Sequence, residues 1–264
     1  MTRKTRMTRS TGEITTPLPH RLSEEDLYDF DTRGYLVRKG FVTAAERQEL
    51  LSALAPRWEP SGDSGLVFRA RTLPTDVPCF GGLLRRIVAG AGVYDTINQP
   101  FRLIESYALR RVDGSIQALH NGRSNDNVSA FGTSRRTMWR DHTYHDGLLH
   151  CMMVKALVYL TDITAHEDGP FVVVEGSHKA NYPFPVSRRE MKEGVGLDRA
   201  GVYPVYTAAG DLLLLNEALT HGSLAKSSGG ERAFLAFSFA PSFVGDYAKL
   251  PRDQADLTAI GFCE

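Results

Sequence analysis

The chain has 264 residues, of which 42% are hydrophobic, and its 31 basic residues balance its 31 acidic residues. The zero net charge argues against binding to a nucleic-acid polymer or an anionic membrane surface, and no run of 18 apolar residues predicts a membrane span. The three cysteines are widely spaced and match no metal-finger or disulfide pattern. The basic, polar start lacks the apolar segment of a secretory signal. We therefore expect a cytoplasmic protein with a disordered tail over residues 1–20 and a single domain over residues 21–264.

Helix signals dominate the first hundred residues. Ser23 is a good N-cap for a helix that has an acidic first turn and ends at Gly34. Residues 35–38 follow as a short strand, and Thr43 caps a second predicted helix with the sequence AAERQELLSAL. Residues 56–80 are rich in Pro, Gly and Asp and predict loops, and residues 82–98 predict a further helix.

Strand signals dominate from residue 101 onward. The predicted strands cover residues 103–111, 148–159, 171–174, 212–215 and 233–239. Helices followed by strands predict a mostly β fold with flanking helices. The architecture that we expect is a double-stranded β-helix (a cupin-like jelly roll) with the N-terminal helices packed on one sheet. The long polar stretch over residues 121–140 predicts either a functional lid or a disordered loop.

Two residues near the end of the strand region indicate a binding site for an anion. His221 follows a buried strand and precedes Gly222, and Arg232 lies eleven positions later inside the next apolar strand. An arginine in such a strand needs an anionic partner. A dicarboxylate such as 2-oxoglutarate offers one, which a guanidinium can bind through two hydrogen bonds. The alternative is a structural arginine paired with an aspartate or glutamate.

The chain resembles the phytanoyl-CoA dioxygenase family of iron(II)/2-oxoglutarate oxygenases. The resemblance is carried by residues 31–37 with Phe41, residues 119–122, residues 158–162, Gly169 with the segment FVVVEGSHK over residues 171–179, and the set His221, Ser223 and Arg232. It implies that His120 and His221 ligate iron(II), that Ser223 and Arg232 bind the distal carboxylate of 2-oxoglutarate, and that O2 is the oxidant. Asn121 and Asn216 are candidates to hydrogen-bond the metal ligands.

The chain departs from the family at its first metal motif, which is His-x-Asp in the family and His120-Asn121-Gly122 here. Gly122 has no side chain and leaves room for chloride or another halide, as in related halogenases that carry Gly or Ala at this position. Three alternatives stay open: water fills the position and the enzyme hydroxylates, another carboxylate reaches in, or the protein is a non-catalytic binding protein. The carboxylates that would serve are Asp126, Asp141 and Asp146. We favour a halogenase that chlorinates an unactivated C–H bond.

A second His-x-Gly triplet, His145-Asp146-Gly147, has the same spacing as the first. Its Asp-Gly pair predicts a turn into the following strand. His120 instead follows an apparent strand, which suits a metal ligand better. We therefore assign the first metal ligand to His120 rather than to His145.

The residues around the expected site favour an anionic small molecule as substrate. Cations near the site are Arg110, Arg111, Arg123, Arg135, Arg136, Arg140 and Lys155, and rings that could stack or line the pocket are Phe131, Trp139, Tyr144 and His142. Of the cations, Arg110 and Arg123 are the candidates to bind a phosphate. A nucleotide monophosphate such as deoxyadenosine monophosphate satisfies both features. A solvated loop face, an amino acid, an alkaloid or a carrier-bound acyl group are the alternatives.

Overall fold

The computed structural model describes residues 22–120, 142–180, 184–185 and 197–243. The predicted tail over residues 1–20 and the polar stretch over residues 121–140 lie outside the described residues. Four α-helices fall within the described ranges: α1 (Glu24–Arg33), α2 (Ala44–Leu54), α3 (Pro78–Gly90) and α4 (Val93–Ile97). Within those ranges no helix is long and apolar enough to cross a membrane.

The first two helices begin and end where their capping residues predict. The Ser23 side chain accepts a hydrogen bond from the Asp26 amide, and Gly34 ends α1 in the left-handed conformation (φ 88°). Thr43 and Glu46 form a reciprocal capping box at the start of α2. Both helices are thus fixed by local sequence signals.

The region between residues 56 and 98 differs from the prediction. The helix predicted over residues 82–98 begins earlier, at Pro78, and is divided into α3 and α4 at Gly92, whose φ is 93°. The positive φ of this glycine ends α3 and changes the direction of the chain before α4 begins. The predicted loop region contains a 3-10 turn over Ala55–Arg57 and two strands of the large sheet.

The strands form two antiparallel sheets and a separate hairpin. In chain order they are β1 (Tyr35–Arg38), β2 (Glu59–Pro60), β3 (Val67–Arg71), β4 (Phe101–Arg111), β5 (Gln117–His120), β6 (His142–His145), β7 (Leu148–Cys151), β8 (Val154–Tyr159), β9 (Phe171–Val174), β10 (Val202–Val205), β11 (Leu212–Asn216), β12 (Thr220–Ser223) and β13 (Arg232–Pro241). The large sheet has the order β1-β11-β8-β13-β4-β3-β2, and the small sheet has the order β10-β9-β12-β5. The predicted jelly roll with flanking helices is confirmed.

The single strand predicted over residues 148–159 is two strands in the structure. Its first part, β7, pairs with β6 in a hairpin, and its second part, β8, lies in the large sheet. Asp146 and Gly147 connect β6 to β7 with φ values of 54° and 78°, as a tight Asp-Gly hairpin turn requires. The predicted turn at this dipeptide is therefore confirmed.

The large sheet has a core on each of its faces. Phe237 and Phe239 belong to the core that packs against the helices, together with Phe30 of α1 and Ile87 of α3. Alternate residues of the same strands point to the other face and form a second core between the two sheets, with Phe171 of the small sheet. This inner face holds the candidate site.

Candidate active site

The structure brings His120 and His221 together in the small sheet. His120 ends β5 and is the cross-strand partner of His221 in β12. The centroids of the two imidazole rings lie 4.4 Å apart, and the rings are tilted by 57°. Two residues that are 101 positions apart in the sequence therefore form one pair on the inner side of the jelly roll, as the predicted metal site requires.

Each ring is oriented by a backbone carbonyl two residues earlier. The Nδ1 atom of His120 lies 3.0 Å from the Ala118 oxygen, and that of His221 lies 2.7 Å from the Leu219 oxygen. A carbonyl oxygen only accepts hydrogen bonds, so Nδ1 carries the proton and Nε2 keeps its lone pair. This arrangement suits a pair of metal-binding imidazoles.

The surroundings of His221 keep its imidazole neutral. Its side chain is buried, and Phe171 stacks on the ring at 5.3 Å with an interplanar angle of 19°. Burial, and then the neighbouring His120, lower the pKa of His221 to about 3. The neutral form is the one that binds a metal, and imidazole is a suitable ligand for iron(II). The pair therefore fits the metal that the family resemblance implies.

A third protein ligand is not found in the described part of the chain, where no group of three His, Cys, Asp or Glu residues converges. Asn121, Gly122, Asp126 and Asp141 lie outside the described residues, so the predictions made for them stay predictions. Asp146 is described, and its side chain is 93% exposed in the β6–β7 turn. This position does not support Asp146 as the replacement carboxylate.

The two residues predicted to bind the distal carboxylate are both buried. Ser223 follows His221 by two positions in β12, so both side chains point to the same side of the sheet. Arg232 begins β13, and its Nη1 donates to the Gly169 carbonyl. The Ser223 hydroxyl and the Arg232 Nε are buried without a partner within the described residues. Such unused donors fit the carboxylate of 2-oxoglutarate.

The inner face of the large sheet carries a second group of charged residues, which we call the mixed-charge end: Arg69, Glu105, Lys155 and Glu217. The Lys155 ammonium lies 3.0 Å from a Glu217 carboxylate oxygen, and Arg69 lies 3.1 Å from Glu105. Burial opposes the charge on Lys155, yet the Glu217 carboxylate outweighs it and raises the pKa of Lys155 above its ordinary value. Each cation at this end is therefore neutralised by a carboxylate.

The histidine pair lies between the mixed-charge end and Arg232. Ser238 in β13 is the cross-strand partner of Lys155 and therefore marks the mixed-charge end on this strand. It lies six residues from Arg232, so the backbone distance between the two positions is roughly 20 Å. On the small sheet, His221 precedes Ser223 and follows Glu217 by four positions. Glu217 and Lys155 are close enough to influence the pKa of His221. The inner face of the jelly roll therefore has two chemically different ends.

The mixed-charge end includes three residues that the sequence analysis missed, namely Arg69, Glu105 and Glu217. Lys155 was recognised as a cation near the site, but its carboxylate partner was not. The available signal was the presence of Glu105 and Lys155 inside apolar strands, since buried charges are usually paired.

The predicted substrate-binding residues are not brought together on the inner face. Arg110 points to the opposite face of β4 from Arg111, forms an ion pair with Glu231 at 2.9 Å and covers the Phe68 ring at 4.3 Å. Adjacent residues of a strand point to opposite faces, so this position does not support Arg110 as a substrate-binding residue. Tyr144 is 68% exposed in β6. Arg123 and Trp139 lie outside the described residues.

His142 and Asn216 belong to a separate buried network. The His142 Nε2 lies 2.9 Å from an Asp31 carboxylate oxygen, and the Asn216 amide donates to His142 Nδ1 at 2.8 Å. The Asn216 carbonyl oxygen accepts from the Ala218 amide. Cys151 adjoins this network with a fully buried thiol, and burial raises its pKa above the ordinary range. These contacts tie β6 to α1 and β11, and they do not support a role of His142 in substrate binding or of Asn216 beside the metal ligands.

Comparison with known proteins connects this geometry to a family. HygX from Streptomyces hygroscopicus, solved with nickel and 2-oxoglutarate bound, is 41% identical over 84% of this chain and 88% of its own, with a TM-score of 0.71. A HygX structure with nickel, 2-oxoglutarate and hygromycin B bound has a TM-score of 0.72. The epimerase SnoN from nogalamycin biosynthesis is 17% identical over 87% of each chain, with a TM-score of 0.59, and shares the fold.

No curated protein matches the chain. The family model described as phytanoyl-CoA dioxygenase (PhyH) matches residues 30–234, which include both histidines, Ser223 and Arg232. This range covers most of the chain, and it contains the elements that build the candidate site. The chain therefore belongs to the phytanoyl-CoA dioxygenase family of non-haem iron(II)/2-oxoglutarate-dependent oxygenases.

Proposed function

We propose that this protein oxidises a C–H bond of a small, polar natural product of the aminoglycoside type. Bound iron(II) and 2-oxoglutarate supply the oxidation by O2, in which one oxygen atom enters the substrate and 2-oxoglutarate becomes succinate and CO2. The observation that carries the proposal is the presence, on the inner side of the jelly roll, of both the His120–His221 pair and the unused donors of Ser223 and Arg232.

In this proposal the chain holds the reacting groups in a fixed order. His120 and His221 present their Nε2 atoms to iron(II), and Ser223 and Arg232 bind the distal carboxylate of 2-oxoglutarate. The buried position of His221 and its contact with Phe171 exclude water from the His221 imidazole. The substrate then enters from the mixed-charge end.

The charge of that end favours an amine-bearing polyol over a nucleotide. Glu105 and Glu217 offset Arg69 and Lys155, so these four residues carry no net positive charge. A phosphate dianion would find no cation there that is not already paired with a carboxylate. The carboxylates of Glu105 and Glu217 can instead accept hydrogen bonds from ammonium and hydroxyl groups of a substrate. The relative HygX, with hygromycin B bound, supports the same choice. The relatives give no support for the nucleotide that the sequence predicted.

The first test combines binding with turnover. Anaerobic addition of 2-oxoglutarate to the iron(II)-loaded protein is expected to produce a visible metal-to-ligand charge-transfer band. Hygromycin B or a related aminoglycoside should then raise the rate of succinate formation in air above the rate without substrate, whereas deoxyadenosine monophosphate should not. A protein that shows no band at saturating iron(II) and 2-oxoglutarate would contradict the proposed function.

Halogenation is the second candidate, and one observation favours it. Gly122 replaces the metal-binding carboxylate of the family, and no third acidic ligand converges on the histidine pair within the described residues. The relatives give no support for chloride, so the absence of a side chain at Gly122 carries this candidate alone.

The two outcomes are separated by the mass of the product formed with and without chloride. If the enzyme halogenates, the wild-type protein gives a chlorinated product in chloride buffer, and Gly122→Asp gives none because the new carboxylate takes the position on the metal. A wild-type product that contains added oxygen and no chlorine at high chloride concentration rules halogenation out. It would leave the oxygenase proposal intact.

A further inference from the structure

Two buried arginines lie opposite each other at one end of the inner face. Arg111 ends β4, and it is the direct cross-strand partner of Arg232 in β13. Arg111 is 7% exposed and Arg232 is 3% exposed. Side chains of directly opposed residues lie about 5 Å apart at their Cβ atoms, and like charges in this position destabilise a sheet. We call Arg111, Gln117, Ser223 and Arg232 the arginine end.

The arginine end has no anion among the described residues. Arg111 donates to the Gln117 side-chain oxygen at 2.9 Å and to the Ile116 carbonyl at 3.3 Å, and Arg232 donates to the Gly169 carbonyl. All three acceptors are uncharged. Burial, and then the adjacent guanidinium of Arg232, lower the pKa of Arg111 to about 10. Guanidinium groups stay protonated at neutral pH, so both arginines are cations that lack a neutralising partner among the described residues.

Several hydrogen-bond donors at this end are also unused. The Nε atoms of Arg111 and Arg232 and the Ser223 hydroxyl are buried without a hydrogen-bond partner in the described ranges. The Arg69 Nε of the mixed-charge end is also without a hydrogen-bond partner in these ranges. The two ends differ in charge, because each cation of the mixed-charge end contacts a carboxylate. Buried charges are normally paired, so the arginine end is suited to an anionic ligand with several acceptor sites.

We propose that Arg111 is a second cationic anchor for the distal carboxylate of 2-oxoglutarate, which lies between the two guanidiniums instead of on Arg232 alone. A carboxylate offers about four lone-pair sites, enough for two arginines and the Ser223 hydroxyl. Gln117 holds the Arg111 guanidinium in place and lies opposite Ser223 in the small sheet. The inference rests on the proposed function, since it assigns a further residue to the same co-substrate.

The proposal predicts opposite effects of Arg111→Gln on the free and the ligand-bound protein. The dissociation constant of 2-oxoglutarate, titrated into the anaerobic iron(II)-loaded protein, should rise by about 10- to 100-fold, because a charge-assisted contact is lost. The kcat at saturating 2-oxoglutarate should stay near the wild-type value. The melting temperature without 2-oxoglutarate should be unchanged or higher, since two like charges no longer face each other.

The neighbouring residue provides a matched control. Arg110→Gln removes the same charge one position earlier, on the outer face of the sheet, and should bind 2-oxoglutarate like the wild type. If Arg111→Gln fails to fold, Arg111→Lys replaces it. The lysine variant keeps the charge but loses the planar guanidinium with its paired N–H donors and its Nε donor. It should still weaken 2-oxoglutarate binding about 5-fold.

Two results would overturn the assignment. One is a wild-type dissociation constant for both Arg111 variants while Arg232→Gln loses 2-oxoglutarate binding, which would leave the proposed function standing. The other is a lower melting temperature of Arg111→Gln without 2-oxoglutarate together with unchanged affinity, which would indicate a purely structural residue. Failure of the wild-type protein to bind 2-oxoglutarate would instead reject the proposed function itself.

Discussion

Replacing His221 with alanine is expected to abolish 2-oxoglutarate turnover and to remove most of the affinity for iron(II). The imidazole is buried, its Nδ1 is engaged by the Leu219 carbonyl, and its Nε2 is left for a metal shared with His120. Removing a residue that only hydrogen-bonds to a metal ligand already lowers metal affinity by about 10- to 100-fold. Removing the ligand itself should therefore lower the affinity by more than that. Competition with a chromophoric chelator measures the iron(II) affinity, and succinate formation measures turnover.

His145→Ala is the matched control for this variant. His145 belongs to the alternative His-x-Gly triplet, but its side chain is 58% exposed and its ring stacks on His150 at 3.9 Å. We expect wild-type iron(II) affinity and turnover from it. The His221 variant also leaves a cavity beside Phe171 and should lose about 1–3 kcal/mol of unfolding free energy, so its circular dichroism must be compared with wild type. Retained iron(II) affinity in His221→Ala would refute the proposed metal site.

The assignment of His120 and His221, which lie 101 positions apart, depended on the family resemblance. The features that residue patterns alone predicted share one property, which is short separation along the chain. His221 and Ser223 lie on one strand, where a spacing of two residues fixes a common face whatever the register. The caps at Ser23 and Thr43 depend on contacts over three residues. Such local rules hold without knowledge of the fold, which explains why these features could be predicted.

Arg110 and Arg111 show where this reasoning stops. The sequence places two arginines in adjacent positions of one strand, and their side chains must point to opposite faces. The choice between them depends on the register of β4 against β13, in which Arg111 faces Arg232. A shift of one residue would exchange the two faces. Arg110 is the residue predicted for substrate binding, whereas Arg111 is the one that the structure buries on the inner face.

The mixed-charge end could not be predicted for a related reason. Lys155 contacts Glu217 across 62 positions, and Arg69 contacts Glu105 across 36 positions. Arg69 and Glu105 lie on different strands, β3 and β4, whereas Lys155 lies on β8 and Glu217 directly follows β11. Both pairs form only because the order of strands in the sheet brings the two partners together. The charged residues are visible in the sequence, but their partners are set by tertiary packing. In the proposed function these pairs favour an amine-bearing polyol over the anionic substrate that was predicted.

Replacing Gly222 with alanine is expected to disturb the metal site without changing any proposed ligand. A Cβ atom at this position would lie 2.6 Å from the Gln117 carbonyl oxygen and 3.0 Å from the Leu119 nitrogen, both of which are backbone atoms of β5. The strands β5 and β12 must therefore move apart, which separates His120 from His221. We expect a loss of about 1–3 kcal/mol in unfolding free energy from the steric overlap.

The effect of Gly222→Ala on catalysis should be larger than its effect on stability. A displacement of about 1 Å of a catalytic group can lower the rate about 100-fold, and the two proposed iron ligands lie on the two strands that move apart. Gly82→Ala is the control, because no atom lies within 4 Å of its added Cβ, and in helix α3 it should stabilise the protein by about 0.5–1 kcal/mol. Chemical unfolding, iron(II) affinity and succinate formation are measured for both variants. Wild-type iron(II) affinity and turnover in Gly222→Ala would mean that the spacing of these two strands does not determine the metal site.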